Sequence, residues 1–300
     1  MQIGIDVGAT KIESVVLEED GNEKHRSRTD CPKDYLSIIS TIKDIHHNLE
    51  KEFQKELPIG VCHPGIHSPQ TGLVKNAPNC YWLEKKPFQS DLRKALGKEV
   101  FCENDANCFA LSEAIDGAGK HYKIVYGIIL GSGAGGGLVI DKQIVSGPNG
   151  VAGEWGHNQI PYFAAKKENF NSNNAREAEV ESFISGLGMA KRFNKIYGKN
   201  LKTNEIFELY RRHDLDAERF VDDFKLNLAM SLSTIINILD PDAFVFGGGV
   251  SNEIDFLSEI EKMVKKFVIG KEYDGVFLKP KYGDASGVRG AARLGRRTTY

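Results

Sequence analysis

The sequence lacks the features that mark membrane, secreted and nucleic-acid-binding proteins. No segment approaches the roughly 18 consecutive apolar residues of a membrane span, and MQIGIDVGAT carries no basic stretch before its first acid, Asp6. The net charge is only −2, which gives no general attraction for polyanions. We therefore expect a cytoplasmic protein that binds neither nucleic acid nor membrane.

Cysteine is sparse, and two familiar sequence signatures are missing. The five cysteines are scattered and never form a C-x-x-C pair, so the spacing indicates neither a disulfide framework nor a thiolate zinc site. No G-x-x-x-x-G-K-[ST] phosphate loop occurs, and no Pro/Gly/Ser linker divides the chain. The 300 residues, 41% hydrophobic, suffice for two closely apposed lobes.

The two halves of the chain begin alike. The first half opens with the strand-like stretches QIGIDV, KIESVVLEE and EKHRSRT, and apolar spacing then predicts a helix over Tyr35–Lys55. From Tyr122 a strand, a glycine turn and one further strand, LVIDKQIV, repeat that opening. Later helices are predicted near 177–185, 203–212 and 215–239, with an exposed loop at 163–175. The pattern indicates an α/β protein with mixed sheets and a weak duplication of topology.

The first glycine turn lies in GIDVGATK. Small residues at Gly8 and Ala9 let backbone N–H groups approach phosphate oxygens, Thr10 adds a hydroxyl and Lys11 a positive charge. Asp6, at the end of the first strand, can hold Mg²⁺ directly or through water. A plain hairpin turn with a surface lysine remains the alternative.

Two further glycine clusters follow. GSGAGGG contains G-x-G-x-x-G, but the strand-like run after it disfavours a dinucleotide fold, which needs a helix there. Its turn and the first one can close over the phosphates of one nucleotide from opposite lobes. The third cluster, Gly247–Gly249, leaves room for a base or ribose, or else serves close packing of helix on strand.

Several polar residues carry candidate chemistry. Asp105, in ENDANCFALSEA, fits a general base beside Asn104, or else it caps the helix that follows. Glu154 and His157 in GEWGHN, with Glu181 in ESFISG, can bind the hydroxyls of a polyol. The alternatives are a structural histidine at 157 and a surface charge at 181.

Taken in order, these motifs resemble those of the ROK family of bacterial sugar kinases. The similarity runs from about residue 2 to residue 295 and includes HPG, NILDPD, GGGVSN and GDASGVRGAA. It implies an actin-like, RNase-H-like ATPase fold of two α/β lobes with ATP and sugar in the cleft between them. The smaller lobe would span 1–116, the larger 117–284, and a helix at about 285–300 would pack back on the smaller lobe.

The resemblance also implies roles for individual residues. Asp105 would be the catalytic base, and Asp6 and Asp105 would lie near the Mg²⁺ of MgATP. The ATP contacts would be Gly8, Ala9, Thr10, Lys11, Gly131, Ser132, Gly133, Gly248 and Gly249. The sugar contacts would be Gly65, Asn79, Asn104, Glu154, His157 and Glu181.

One departure from the family pattern is large. Family members generally carry three cysteines just before the position of Glu181, which bind zinc together with a histidine that matches His157. Here Ser172, Asn174 and Glu179 stand at the cysteine positions. Because serine and asparagine are poor zinc ligands, we predict no structural zinc.

The resemblance, which is greatest to the fructokinase branch, implies an ATP-dependent hexose kinase with fructose favoured and mannose or glucose also acceptable. N-acetylglucosamine, N-acetylmannosamine or glucose kinases are the alternative, and a homodimer is expected. Outside enzymes, a sugar-sensing regulator is disfavoured because the phosphate motif already stands at Asp6. A binding protein without catalysis is disfavoured because Asp105 and both glycine turns are present.

Overall fold

The computed structural model describes residues 1–160 and 175–296. The predicted loop at 163–175 lies outside the described residues up to its last position, and so does the tail at 297–300. Within the described ranges, no helix combines the length and the apolar character needed to cross a bilayer.

The described strands form two five-stranded mixed sheets and a small hairpin. The first sheet consists of β1 (Gln2–Val7), β2 (Lys11–Leu17), β3 (Glu23–Asp30), β4 (Ile59–His63) and β7 (Val100–Asn104). The hairpin consists of β5 (Ile66–His67) and β6 (Val74–Lys75). The second sheet consists of β8 (Ile124–Leu130), β9 (Ala134–Ile140), β10 (Gln143–Ile144), β11 (Ala243–Gly247) and β12 (Val276–Leu278).

The two large sheets share one topology. Their strand orders are β3-β2-β1-β4-β7 and β10-β9-β8-β11-β12. In each, the first three strands form an antiparallel meander and the last two join in parallel. The duplication that the sequence predicted is therefore present in the structure.

The helices connect and cover these sheets. They are α1 (Tyr35–Phe53), α2 (Phe88–Leu96), α3 (Asp105–Ile115), α4 (Glu181–Ile184), α5 (Gly186–Tyr197), α6 (Thr203–Arg211), α7 (Leu215–Leu239), α8 (Gly249–Glu253), α9 (Leu257–Val264) and α10 (Ser286–Arg293). Short 3-10 helices lie at Pro78–Leu83, Trp155–His157, Ala175–Ala178, Ile269–Lys271, Gly283–Ala285 and Leu294–Arg296.

Helix α1 shows how local sequence sets an element. Asp34 caps it by accepting a hydrogen bond of 2.9 Å from the backbone N–H of Ser37. Its residues Ile38, Ile42 and Leu49 recur at helical spacing and are buried in the core of the first sheet. The predicted helix over Tyr35–Lys55 is confirmed with its end two residues earlier.

Helices α3 and α10 pack on each other between the two sheets. Helix α3 contacts β8 and β9 of the second sheet, whereas α10 contacts β1, β2 and β4 of the first. Their approach is close, because a side chain at Gly290 would overlap the carbonyl of Cys108. The boundary after residue 116 and the assignment of the C-terminal helix to the smaller lobe stay predictions.

Some sequence predictions of local structure were wrong. LVIDKQIV is not one strand, because Asp141 and Lys142 have φ of 51° and 64° and form a two-residue turn between β9 and β10. The predicted helix over 177–185 is a short 3-10 helix at Ala175–Ala178 followed by α4. Helix α5 was missed because Gly186 and Gly188 in its first turn resemble a loop.

Candidate active site

Two carboxylates lie at the carboxyl ends of strands in the first sheet. Asp6 lies near the end of β1, beside Cys62 of β4, and Asp105 follows β7 as the first residue of α3. Burial, together with the negative charge of Asp105, raises the pKa of Asp6 to about 7. Burial also raises the pKa of Asp105, against a hydrogen bond from Ala106 N–H. Ligands of α/β sheets commonly bind at such strand ends.

Asn104 caps helix α3. This bears on the two roles left open for Asp105, a general base or a helix cap. Its Oδ1 accepts from the backbone N–H groups of Ala106 at 2.8 Å and Asn107 at 3.3 Å. Its Nδ2 donates to the carbonyl of Gly65 at 3.0 Å. Since Asn104 fills the cap position, Asp105 is not required there, although its Oδ1 also accepts from Ala106 N at 2.8 Å.

Glu103 is a residue of this corner to which the sequence assigned no role. One carboxylate oxygen accepts from Asn104 N at 2.9 Å and from Asn107 Nδ2 at 3.1 Å. The other accepts from the hydroxyl of Ser146 at 3.0 Å, in the segment that leads to Glu154. Glu103 therefore joins the strand end before Asp105 to the second half of the chain. Its place next to Asn104 was the available signal.

The second glycine turn, Gly131–Gly133, is held by the chain around Glu181. The carboxylate of Glu181 accepts from Ala134 N at 2.8 Å. The Gly131 carbonyl accepts at 2.8 Å from the backbone N–H of Gly186, the first residue of helix α5. Glu181 is thus engaged with the turn, which argues against a simple surface charge.

The third glycine cluster packs against the second. Gly248 has φ of 88°, and a Cβ there would lie 2.5 Å from the Leu130 carbonyl oxygen. Among the described residues, no heavy atom beyond the chain neighbours lies within 4 Å of a Cβ built at Gly131 or Gly249. Both readings of the cluster therefore hold locally: close packing at Gly248, and open space at Gly249 beside the turn.

Glu154 and His157 lie on one short turn beside these elements. Burial raises the pKa of Glu154, the charge of His157 lowers it, and the charges of Asp105 and Glu181 raise it. His157 Nε2 lies 3.9 Å from Glu154 Oε2, and His157 Nδ1 lies 3.0 Å from Glu179 Oε2. Because the charges of Asp105 and Glu181 both act on Glu154, the strand end at Asp105, the Gly131–Gly133 turn and the Glu154–His157 turn lie near one another.

Of the remaining predicted residues, Gly65 contacts the Asp105 corner, whereas the first turn has contacts of its own. Gly65, with φ of 84°, offers its carbonyl to Asn104. In the first turn, Gly8 N donates to Lys11 O at 2.9 Å, and the carbonyl of Ala9 accepts from Lys33 Nζ. Thr10, Lys11 and Asn79 are exposed.

Asp6 and Asp105 are two buried carboxylates that repel each other, an arrangement with the chemistry to bind a divalent cation. The charge of Arg28 lowers the pKa of Asp6, but burial and Asp105 outweigh it. A cation that arrives with a nucleotide would relieve this repulsion, and carboxylate oxygens are the ligands that Mg²⁺ prefers. Over residues 1–160 and 175–296, no group of three or more His, Cys, Asp and Glu is placed to hold a metal ion by itself.

Comparisons with known proteins agree along nearly the whole chain. A family model described as ROK family matches residues 2–298. An N-acetyl-D-glucosamine kinase of Pasteurella multocida (strain Pm70) is 36% identical over 304 residues, covering 98% of this chain and 99% of that protein.

Solved structures show the same fold. A ROK hexokinase from Thermus thermophilus aligns with a TM-score of 0.87 and 24% identity, covering 98% of this chain and 97% of that one. A ROK family glucokinase from Streptomyces griseus, solved with glucose and AMPPNP, aligns with a TM-score of 0.76 and 26% identity over 99% of each chain. The two-lobed α/β architecture expected from the motifs is the architecture of these proteins.

Proposed function

We propose that this chain, which belongs to the ROK family and is an ATP-dependent sugar kinase, uses N-acetylglucosamine as its acceptor. The observation that carries this choice is the 36% identity to an N-acetyl-D-glucosamine kinase over 98% of the chain. Fructose was the acceptor that the motifs favoured, and no relative named above supports it. N-acetylglucosamine, which the sequence analysis gave as an alternative, is therefore the better supported acceptor.

In this proposal Asp105 is the general base. Its carboxylate accepts the proton of a sugar hydroxyl as that oxygen forms a bond to the γ-phosphorus of ATP. The bond from phosphorus to the bridging oxygen of ADP breaks, and the products are the sugar phosphate, ADP and a proton. The raised pKa of Asp105 supports this role, because a stronger base accepts a proton more readily.

The two glycine turns bind MgATP, which enters as a substrate. The N–H groups of Gly8 and Gly131 close the two turns by bonding to Lys11 O and Gly133 O. The phosphates are faced by the backbone N–H groups that remain in these turns, those of Ala9, Thr10, Ser132 and Gly133. Lys11 adds charge, and Gly248 and Gly249 face the adenosine. Asp6 and Asp105 hold the Mg²⁺ directly or through water. Bound Mg²⁺ neutralises charge that develops on the phosphate oxygens.

The sugar lies between the Asp105 corner and the Glu154 segment. Carboxylates of Glu154 and Glu181 accept from its hydroxyls, and His157 and the Asn104 amide complete the contacts. Gly65 and Asn79 border the same space. The support for this arrangement is that the charges of Asp105 and Glu181 both raise the pKa of Glu154.

A panel of acceptors tests the proposed substrate. ADP release is measured with saturating MgATP and N-acetylglucosamine, N-acetylmannosamine, glucose, mannose or fructose. We expect kcat/KM for N-acetylglucosamine to exceed that for fructose and glucose by at least about tenfold, because a site built for the acetamido group leaves polar groups unpaired without it. A higher kcat/KM for fructose would contradict the proposal and restore the fructokinase interpretation.

A further inference from the structure

The side chains around His157 form a short chain of acid, imidazole and acid. His157 Nδ1 lies 3.0 Å from Glu179 Oε2, and Nε2, on the other side of the ring, lies 3.9 Å from Glu154 Oε2. Glu179 is the more enclosed partner, with 17% of its side chain exposed against 45% for His157. The contact at Nδ1 is at hydrogen-bond distance, whereas the gap at Nε2 leaves that atom available.

The backbone fixes Glu179 beside the histidine. Gln159 and Glu179 form an isolated antiparallel bridge. On either side of it, Ile160 N donates to Ala178 O at 2.7 Å and Val180 N donates to Asn158 O at 2.8 Å. The side-chain contact between Glu179 and His157 is therefore supported by main-chain pairing, and it loses less entropy than a contact between two free loops.

A carboxylate at Nδ1 determines what the other ring nitrogen can do. Nδ1–H donates to the carboxylate, so the neutral ring keeps Nε2 unprotonated and able to accept. Such an Nε2 can accept from a sugar hydroxyl beside Glu154, whose carboxylate can accept from a neighbouring hydroxyl. Without Glu179, the ring is free to rotate or to place its proton on Nε2, and that acceptor is lost.

The same two residues stand at two of the four positions that bind zinc in the family pattern. Ser172 and Asn174, at two other positions, are poor zinc ligands and lie outside the described residues. His157 and Glu179 alone do not make the four donors of a structural zinc site, so the residues present do not fit zinc. In this chain the histidine has a protein partner of its own instead.

We propose that Glu179 is a positioning residue for sugar binding: it holds the Nδ1–H form of His157 and so presents Nε2 as an acceptor beside Glu154. It does so in place of the metal that the family pattern implies. This inference rests on the proposed sugar site, but not on which sugar is used. It concerns the partner of His157, which the family pattern does not provide.

Kinetics of two substitutions test the role, measured with whichever sugar the protein phosphorylates best. Glu179→Ala is expected to raise the sugar KM about tenfold while the ATP KM stays within about twofold. The reason is that the hydrogen bond lost, from His157 to the Glu179 carboxylate, orients a sugar contact and no ATP contact. Glu179→Gln keeps an acceptor oxygen for Nδ1–H and is expected to stay within about threefold of the parent. The matched control is Glu177→Gln at an exposed position two residues away, with parental constants expected.

A double-mutant cycle separates this inference from the sugar site itself. If His157→Ala leaves the sugar KM unchanged, the site assignment is wrong. If His157→Ala raises the KM but Glu179→Ala adds its full effect on top, the two residues act independently and the positioning role is overturned. Equal losses of sugar and ATP affinity in Glu179→Ala and Glu179→Gln would also overturn it, as a general structural effect.

The tautomer can be read in the parent protein, even where a variant fails to fold. Imidazole ¹⁵N shifts of histidine-labelled protein, assigned with His157→Gln, are measured under mildly alkaline conditions. We expect the Nδ1–H form at His157, which is the less common form of free histidine, and a change to Nε2–H in Glu179→Ala. An Nε2–H form in the parent, or stoichiometric zinc in protein purified without chelators, would overturn the proposal.

Discussion

At the scale of single residues, the site places Asp6 in an unfavourable environment in the absence of ligand. Burial and the charge of Asp105 raise its pKa to about 7, so near neutral pH the ionised form of Asp6 costs folding energy. Such a cost is common where groups are arranged for function and not for stability. In the proposed site, the Mg²⁺ of MgATP would supply positive charge that offsets this cost.

The stability of an Asp6→Asn variant should therefore depend on pH. The folded protein keeps a proton on Asp6 up to about pH 7, whereas the unfolded chain releases it near the ordinary value of 3.8. The contribution of Asp6 to stability is thus present at low pH and lost as pH rises toward 7. We expect Asp6→Asn to be more stable than the parent by about 4 kcal/mol at pH 8, with little difference near pH 4, because each unit of pKa difference is worth about 1.4 kcal/mol.

Urea unfolding of the unliganded protein at both pH values measures this difference. Asp44→Asn, an exposed change of the same kind in α1, is the control and should match the parent at each pH. A gain of equal size at both pH values, or no gain at pH 8, would show that Asp6 is not perturbed in this way.

The sequence identified most of the candidate residues but not their partners. Asp105 and Asn104 stood out because an acid and an amide follow a strand and precede a helix. The division of work between them, with Asn104 capping α3, required coordinates because either side chain can cap a helix. Glu103 and Glu179 were missed as functional residues because their partners, Ser146 and His157, are 43 and 22 positions away.

At the scale of elements, the contact between α3 and α10 fixes the position of Asp105. Glu113, on α3, is fully buried and accepts from Oγ of Ser286, the first residue of α10, at 2.6 Å. It also accepts from Lys281 N, five residues before α10, at 3.0 Å. Gly290 permits the close approach of the two helices. Helix α3 therefore carries Asp105 at one end and an anchor to α10 near the other.

Replacing Gly290 by alanine tests this packing. A Cβ would overlap the backbone of Cys108, which cannot move like a flexible side chain, so we expect a loss of about 3 kcal/mol or more in the free energy of unfolding. Chemical denaturation measures the loss. Gly295→Ala is the control, because its Cβ would meet Pro58 Cβ at an ordinary 3.5 Å. Similar stability of the two variants would contradict the packing described here.

Helices with a long apolar repeat were predicted more accurately than short turns. Helix α7 was predicted with its observed ends, Leu215 and Leu239, because apolar residues recur along the whole segment and Asp214 caps it. The hairpin of β9 and β10 was not recognised, because its turn residues, Asp141 and Lys142, are not glycines although both have positive φ. Local sequence gave no sign of that turn.

At the scale of the whole molecule, the two sheets have one topology and are connected through helices α3 and α10. The predicted ROK family, the two-lobed α/β fold and the sugar kinase activity are confirmed by the family match, the relative and the solved structures. The acceptor could not be read from motifs, because it depends on the shape and the polar groups of a pocket built from distant segments. The homodimer stays a prediction.

Hydrogen bonds also link the β5–β6 hairpin to residues 148–149. Gln70, in the connection between β5 and β6, donates to Asn149 Oδ1 at 2.6 Å and to Pro148 O at 3.1 Å. Lys75 Nζ donates to Asn149 O at 3.3 Å. Together with the bond from Ser146 to Glu103, these contacts join the first half of the chain to the segment before Glu154.

The central claim is that the Asp105 carboxylate removes the proton of the sugar hydroxyl where the two halves meet. Asp105→Asn keeps the shape of the side chain and removes the base. ADP release and sugar binding by calorimetry are measured on the same preparation. We predict that kcat falls about 10²- to 10⁴-fold while the sugar Kd stays within about threefold. Turnover near the parental value would contradict the account.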